Sequence, residues 1–195
     1  MMNGLNSFFP SASRIPAFLL LGMVLLGAVG SQSGDPNGAG GDPVPIQGVI
    51  LSGRISTVTG EVIEADSLSG RVILVNAWAT WCGPCVLEMP VFQRVLDEYR
   101  DRGFLVIGIS ADEDGPEVVR SFIEELGISY PVTVGLQPPL NLLAAQVRGL
   151  PTSFLLDRDG RVVQRVEGVF SEEALRAALE GVLDQRPHSR ALVQR

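Results

Sequence analysis

The chain has 195 residues, 46% of them hydrophobic, so it is long enough and apolar enough to bury one core without disulfide or metal staples. Its 22 acidic residues outnumber 15 basic ones, and a formal charge of −7 argues against nucleic acid as a partner, because phosphate backbones are also negative. Every basic residue is arginine, which excludes Schiff-base chemistry and a phosphate-binding P-loop, since both need a lysine.

Residues 1–30 have the pattern of an export segment. The run IPAFLLLGMVLLGAVG, Ile15 to Gly30, is uncharged and follows a single basic residue, Arg14. It is shorter than the ~20 residues that span a bilayer comfortably, and small residues stand at its end. The pattern predicts a cleaved signal peptide. An uncleaved signal anchor is the alternative, and contact with the membrane is then expected only through residues 15–30.

The rest of the chain divides by composition into a linker, a domain and a tail. Residues 31–45, SQSGDPNGAGGDPVP, cannot bury apolar surface and are expected to form a flexible linker. Residues 46–185 are expected to fold as one domain, and residues 186–195 to form a disordered tail. The single histidine, His188, lies in that tail.

Two apolar runs rich in β-branched residues predict strands buried in the middle of a sheet. They are VILVNAW, Val72 to Trp78, and FLVIGIS, Phe104 to Ser110. Apolar residues at helical spacing follow each run: Met89, Phe92, Val95, Leu96 and Tyr99 after the first, and Val118, Val119, Phe122, Ile123 and Leu126 after the second. Asp114 and Glu117 form a candidate capping box for the second helix. The order predicts a β-α-β arrangement.

The last third of the domain predicts a hairpin and a final helix. TSFLLD, residues 152–157, and VVQRV, residues 162–166, are apolar runs separated by a turn at Asp159 and Gly160. Ser171 is expected to cap the helix that follows, since two glutamates stand directly after it.

Both cysteines stand in one motif, Cys82-Gly-Pro-Cys85, which four kinds of site could explain. A structural disulfide between these cysteines would stabilise the fold only weakly, because the stabilisation from a disulfide grows with the length of the loop that it closes and this loop is very short. A zinc site would need two further ligands that the neighbouring sequence does not offer. A copper(I) site could form from two thiolates alone, and a redox pair needs nothing beyond the two cysteines.

The position of the motif favours the redox pair. Cys82 follows a predicted strand and precedes a predicted helix, so unsatisfied N–H groups and the positive end of the helix dipole stabilise its thiolate. Cys85, one turn further, can displace a substrate that is held on Cys82 in a mixed disulfide. We therefore expect Cys82 to attack and Cys85 to resolve, with no metal and no cofactor.

Two segments in this order resemble the thioredoxin superfamily. WATWCGPC is similar to its active-site segment. VRGLPTSFLLDRDGRVV, Val147 to Val163, is similar to the segment with its cis-proline, which would be Pro151. The resemblance implies an α/β protein with a thioredoxin-like fold, in which helices flank a central mixed β-sheet.

Three further features resemble the extracytoplasmic TlpA/ResA-like thiol-disulfide oxidoreductases, which are relatives of the redoxins. GRISTVTGEVIEADSLSGR is similar to their N-terminal β-hairpin, and residues 112–148 to their central α/β insertion. Glu88 stands where this subfamily typically has a glutamate, whereas Asn76 occupies the place of the buried aspartate of ordinary thioredoxins. Because asparagine cannot accept a proton, Glu88 is expected to take the proton of Cys85. The alternative for Glu88 is a first-turn charge on the helix dipole.

The remaining site residues are expected to shape the surface around the cysteines. Trp81 is expected to cover Cys82 and contact a protein substrate, with a half-exposed place in the core as the alternative. A cis Pro151 would face the cysteines and leave the backbone around Leu150 free to pair with an extended substrate. An ordinary proline at the start of a strand is the alternative.

The resemblance implies a protein disulfide reductase, because Gly83 and Pro84 between the cysteines are similar to those of the reducing members. Expected partners are exported proteins with disulfides, for example apocytochrome c, and a membrane thiol-electron donor. The expected location is the extracytoplasmic cell envelope, in the periplasm or at the outer face of the inner membrane.

Two other functions stay open from the sequence. A peroxiredoxin-like thiol peroxidase would carry a Pro-x-x-x-Thr-x-x-Cys pattern, which this sequence lacks. A copper(I)-delivery module usually carries CxxxC and a histidine inside the fold, whereas this chain has CxxC and His188 in its tail.

Overall fold

The computed structural model describes residues 53–135 and 137–185. The predicted signal segment, linker and tail, and the first residues of the predicted domain, lie outside these ranges. The strands are β1 (Arg54–Ser56), β2 (Val62–Glu64), β3 (Val72–Trp78), β4 (Phe104–Ser110), β5 (Val132–Val134), β6 (Thr152–Leu156) and β7 (Val162–Glu167). The helices are α1 (Gly83–Tyr99), α2 (Pro116–Glu125), α3 (Asn141–Ala144) and α4 (Glu172–Leu183). No helix within the described ranges is long and apolar enough to cross a membrane.

The central sheet is mixed and has the strand order β5-β4-β3-β6-β7. β3 lies in the middle, parallel to β4 and antiparallel to β6. β5 is parallel to β4 at one edge, and β7 is antiparallel to β6 at the other. Both strands that the apolar runs predicted are observed with the predicted bounds. From the carboxyl end of β3 the chain passes directly into the motif that holds both cysteines.

Apolar clusters cover both faces of this sheet. On one face Trp78, Leu74 and Phe104 pack against α1, α2 and α4. On the other face Val75 and Phe154 pack against α3 and the N-terminal hairpin. All five apolar residues predicted along α1 are buried. Because both faces are covered, every residue of β3 is buried, including its single polar one.

The fold that the family resemblance implied is confirmed. β1 and β2 form a separate antiparallel hairpin, and residues 112–148 contribute α2, β5 and α3 between β4 and β6. β6 and β7 form the predicted hairpin. Ser171 caps α4, since its hydroxyl accepts a hydrogen bond from the backbone N–H of Ala174.

The predicted capping box at the start of α2 is wrong. The N-cap is Gly115, and it makes no side-chain capping bond. Pro116 begins the helix instead, because its fixed φ suits the first turn and its missing N–H costs nothing there.

Candidate active site

The two cysteines form a disulfide in this structure, with their Cα atoms 5.3 Å apart. They differ in burial: Cys82 is 6% exposed, whereas Cys85 is fully buried. A substrate sulfur can therefore approach only Cys82 without a rearrangement of the chain. This asymmetry agrees with attack by Cys82 and resolution by Cys85.

Cys82 is the N-cap of α1, as the sequence predicted. Its backbone is extended, with φ −91° and ψ 94°, and its carbonyl accepts the first helical bond from Val86 N–H at 3.1 Å. Pro84 lies in the first turn, where a residue without an N–H is tolerated. The first turn of α1 contains no acidic side chain that would repel a thiolate on Cys82. The positive end of the helix dipole can therefore stabilise this thiolate without opposition from that turn.

A buried aspartate holds the segment that leads into α1. Asp112, just beyond β4, is 4% exposed and accepts hydrogen bonds from the Thr80 N–H (3.0 Å) and the Thr80 hydroxyl. Ser110 also donates its hydroxyl to this carboxylate, at 2.7 Å. Because Thr80 stands two residues before Cys82, these bonds fix the turn that places Cys82 at the helix start. Nothing in the sequence analysis pointed to Asp112.

Glu88 lies inside the protein, one turn of α1 beyond Cys85, with 1% of its surface exposed. Its Oε1 accepts a hydrogen bond from Asn76 Nδ2 at 2.8 Å, and its Oε2 accepts one from the Phe170 N–H at 3.0 Å. The first-turn alternative for Glu88 is therefore wrong. Residues three apart share one side of a helix, so Glu88 and Cys85 both face the sheet.

Burial raises the pKa of Glu88 from an ordinary 4.5 to about 7, although the hydrogen bonds from Phe170 and Asn76 oppose the rise. A carboxyl group with this pKa exists in both protonation states near neutral pH. It can accept a proton from a neighbouring thiol and release it again.

The same shift predicts how stability depends on pH. Between pH 4.5 and about 7 the folded state binds a proton at Glu88 that the unfolded state has released, so the free energy of unfolding falls as the pH rises. The fall from this one group is at most about 3 kcal/mol. Urea denaturation of the oxidised protein between pH 4 and pH 8 is expected to show it in the wild type and not in Glu88→Gln. Parallel curves for the two proteins would contradict the raised pKa.

The Leu150–Pro151 peptide bond is cis, as the family resemblance predicted. Pro151 is buried, and its carbonyl accepts a hydrogen bond from Gly168 N–H at 2.8 Å. Leu150 packs against the apolar cluster that contains both cysteines. Leu150 thus packs on the same apolar cluster as the cysteines, whereas the expectations that Pro151 faces the cysteines and that the Leu150 backbone pairs with a substrate stay predictions.

Three residues of the segment WATWCGPC lie at the surface: Trp81, Gly83 and Pro84 are all exposed. The indole of Trp81 is 70% exposed, so the alternative of a half-exposed place in the core is wrong. An exposed aromatic side chain next to the more accessible cysteine offers apolar contact to a polypeptide.

Sequence analysis missed the side chains that surround Glu88. The sequence identifies Asn76 only as the residue in place of an aspartate, and its hydrogen bond to Glu88 is missed. Ser153, which accepts a hydrogen bond from Asn76, is missed as well. A signal did exist, because a polar residue in the middle of an apolar strand, as in VILVNAW, needs a buried partner.

A cysteine pair that closes to a disulfide at the accessible start of a helix serves thiol-disulfide exchange. On this five-stranded sheet it defines a thiol-disulfide oxidoreductase with a thioredoxin-like fold. The sequence profile of the Redoxin family matches residues 41–183, and the chain belongs to this family.

Several known proteins are similar along most of their length. The thiol-disulfide oxidoreductase ResA of Bacillus anthracis is 33% identical over 128 residues, covering 66% of this chain and 73% of the relative. ResA of Halalkalibacterium halodurans is 32% identical over 128 residues, which cover 65% of this chain and 70% of that relative. A solved structure of a thiol:disulfide interchange protein from Chlorobium tepidum TLS is 30% identical and has a TM-score of 0.62. The match covers 74% of this chain and 99% of that protein's chain. The family and the exchange activity that the sequence predicted are confirmed.

Proposed function

We propose that the protein reduces disulfides of exported proteins, with Cys82 as nucleophile, Cys85 as resolving thiol and Glu88 as the base for resolution. The Cys82 thiolate attacks a substrate disulfide, forms a mixed disulfide and releases one substrate thiolate, which takes a proton from solvent. Cys85 then passes its proton to the Glu88 carboxylate and attacks the Cys82 sulfur. The second substrate thiolate leaves, and the protein retains the Cys82–Cys85 disulfide. Two electrons have moved to the substrate, and an external dithiol must return them.

One observation carries this proposal: a carboxyl group with a pKa of about 7 lies buried one turn beyond a fully buried cysteine. Burial disfavours a thiolate, so resolution needs a group that removes the proton without access to solvent. Glu88 is suited to this step by its place on the same side of α1 and by its titration near neutral pH.

The place and partners of the reaction are part of the proposal. Residues 1–30 direct export or anchor the chain, residues 31–45 tether the domain of residues 46–185, and residues 186–195 form a tail. The reaction then occurs in the cell envelope, where an oxidising environment locks target thiols as disulfides and a reductase is needed. A membrane thiol donor supplies the electrons, and a CxxCH disulfide of apocytochrome c is one target.

A peptide assay tests the target class. The reduced protein is mixed with an oxidised CxxCH peptide and with a peptide whose disulfide closes a long loop, and thiol release is followed. We expect faster reduction of the CxxCH peptide and none by Cys82→Ser. Equal rates for both peptides would overturn the proposed target, and hydrogen peroxide consumption at a higher rate than either would favour a peroxidase.

Export is tested separately with a reporter fused after Leu183. Alkaline phosphatase is active only where disulfides form, so activity of this fusion supports the envelope location. Activity of a reporter that works only in the cytoplasm would overturn it.

A further inference from the structure

Asn76 is the one polar residue of β3, a strand whose every residue is buried. Strand alternation places its side chain on the same face as Leu74 and Trp78, which is the face that α1 covers. The sheet register pairs Asn76 with Ser153 of β6, so the two are direct cross-strand neighbours. A buried amide is costly unless its groups are hydrogen-bonded, so this position calls for a reason beyond packing.

The amide nitrogen of Asn76 is fully hydrogen-bonded, whereas its amide oxygen is not. Its Nδ2 donates to Glu88 Oε1 at 2.8 Å and to Ser153 Oγ at 3.0 Å, which uses both amide hydrogens. Its Oδ1 is buried and has no hydrogen-bond partner among the described residues. The amide thus holds one unused acceptor, Oδ1, on the same group whose nitrogen binds the Glu88 carboxylate.

A protonated Glu88 needs an acceptor that this arrangement does not offer. Its Oε2 faces the Phe170 N–H, and its Oε1 faces the Asn76 amide nitrogen, so donors stand opposite both oxygens. A half-turn of the Asn76 side-chain amide about its Cβ–Cγ bond exchanges the positions of Nδ2 and Oδ1. Oδ1 can then accept from the Glu88 O–H and from the Ser153 hydroxyl, which is able to donate as well as accept.

We propose that Asn76 is a positioning residue that holds the Glu88 carboxyl group in both protonation states, by donating to the carboxylate and, after the half-turn, accepting from the acid. The inference rests on the proposed function, because it concerns the base assigned to resolution. An aspartate at this position could not serve both states without changing its own protonation, and an apolar residue could serve neither.

The other titratable groups around Glu88 leave this role to the amide. Cys82, the N-cap of α1, and Cys85, in the first turn of that helix, both precede Glu88 in the chain. Tyr130, ahead of β5, has a phenol pKa that burial raises, with the charge of Glu88 adding to the rise, so this phenol stays neutral. Phe170, ahead of α4, contributes only its backbone N–H.

The test titrates Glu88 in the oxidised protein, where neither cysteine can titrate. The carboxyl carbon of Glu88 and the side-chain N–H resonances of Asn76 are followed by NMR from pH 4 to pH 9. In the wild type both are expected to move with one midpoint, because the amide turns when the carboxyl gains its proton. Asn76→Leu removes a hydrogen bond from both forms of Glu88. Because a hydrogen bond to the carboxylate is roughly twice as strong as one to the neutral acid, the charged form loses more, and the Glu88 midpoint should rise by about one pH unit.

The rate of resolution supplies a second readout that a merely structural residue would not move. This rate is measured on a preformed mixed disulfide as a function of pH. At low pH it falls off as Glu88 becomes protonated, and the midpoint of this fall should move to higher pH in Asn76→Leu by the same number of pH units as the NMR midpoint. Thr133→Val is the matched control, since it removes a buried hydroxyl from β5 that makes no hydrogen bond with any described residue. We expect both readouts to keep their wild-type midpoints in this control. If Asn76→Leu does not fold, Ser153→Ala loosens the amide and should raise the midpoint by a smaller amount.

The outcomes separate the two proposals. An unmoved Glu88 midpoint in Asn76→Leu, with slow resolution in Glu88→Gln, overturns the role of Asn76 alone. Wild-type resolution in Glu88→Gln overturns the base assignment, and the role of Asn76 falls with it. Asn76 resonances that stay fixed while Glu88 titrates in the wild type also overturn the inference.

Discussion

Cys85→Ser is expected to accumulate mixed disulfides between Cys82 and its target proteins. Cys82 keeps its place at the start of α1 and can still attack, but no second thiol remains to release the substrate. Multiple turnover in an insulin-reduction assay should fall to background. Non-reducing gels of envelope extracts should show adducts that disappear when dithiothreitol is added.

Cys82→Ser is the matched control for this trap. It removes one sulfur from the same motif, and only the fully buried Cys85 remains, so we expect no adducts. Adducts of equal intensity in both variants, or adducts in Cys82→Ser alone, would show that Cys82 is not the nucleophile.

Glu88→Gln is expected to slow the release of substrate from the mixed disulfide by about 10²-fold at neutral pH, since general-base catalysis typically contributes that much or more. The amide keeps the shape of the side chain but cannot take the proton of Cys85. The deficit should shrink at high pH, where hydroxide removes the proton directly. It should also shrink well below pH 7, because Glu88 in the wild type is then protonated and inactive as a base.

Two comparisons make this result specific. Glu98→Gln changes the same charge at an exposed position of α1 and should resolve at the wild-type rate. A Glu88→Gln, Cys85→Ser double variant should still form the trapped adduct, because the base serves resolution and not the first attack. A wild-type rate in Glu88→Gln across the whole pH range would show that the proton leaves through water.

The elements that rest on local pattern could be predicted from the sequence. β3 and β4 were recognised with their observed bounds because both are continuous apolar runs, which central strands of a covered sheet require. The cysteine pair was placed at a helix start because a strand precedes it and a helical stripe follows. The start of α2 was mistaken because a capping box in sequence does not ensure that the helix uses it, and Pro116 supplied a different start.

The polar interior of the site could be predicted only in part. Glu88 was identified from its spacing to Cys85, but its burial depends on how α1 packs on the sheet. Its hydrogen bonds with Asn76 and Phe170 join residues 12 and 82 positions away in the chain. Asp112 supports Thr80 across 32 positions. Contacts of this range follow from the sheet order and leave no periodic trace in the sequence.

The equilibrium between the Cys82–Cys85 dithiol and its disulfide is the most direct test of the reductase function. The oxidised fraction is measured by mass spectrometry after thiol alkylation in a series of glutathione or dithiothreitol buffers at pH 7. A reductase should hold electrons at a potential near that of thioredoxin, about −270 mV, well below the value of about −120 mV of the oxidant DsbA. A value near −270 mV is the result we expect. A value near −120 mV would contradict the account, because such a protein would introduce disulfides into its partners instead of removing them.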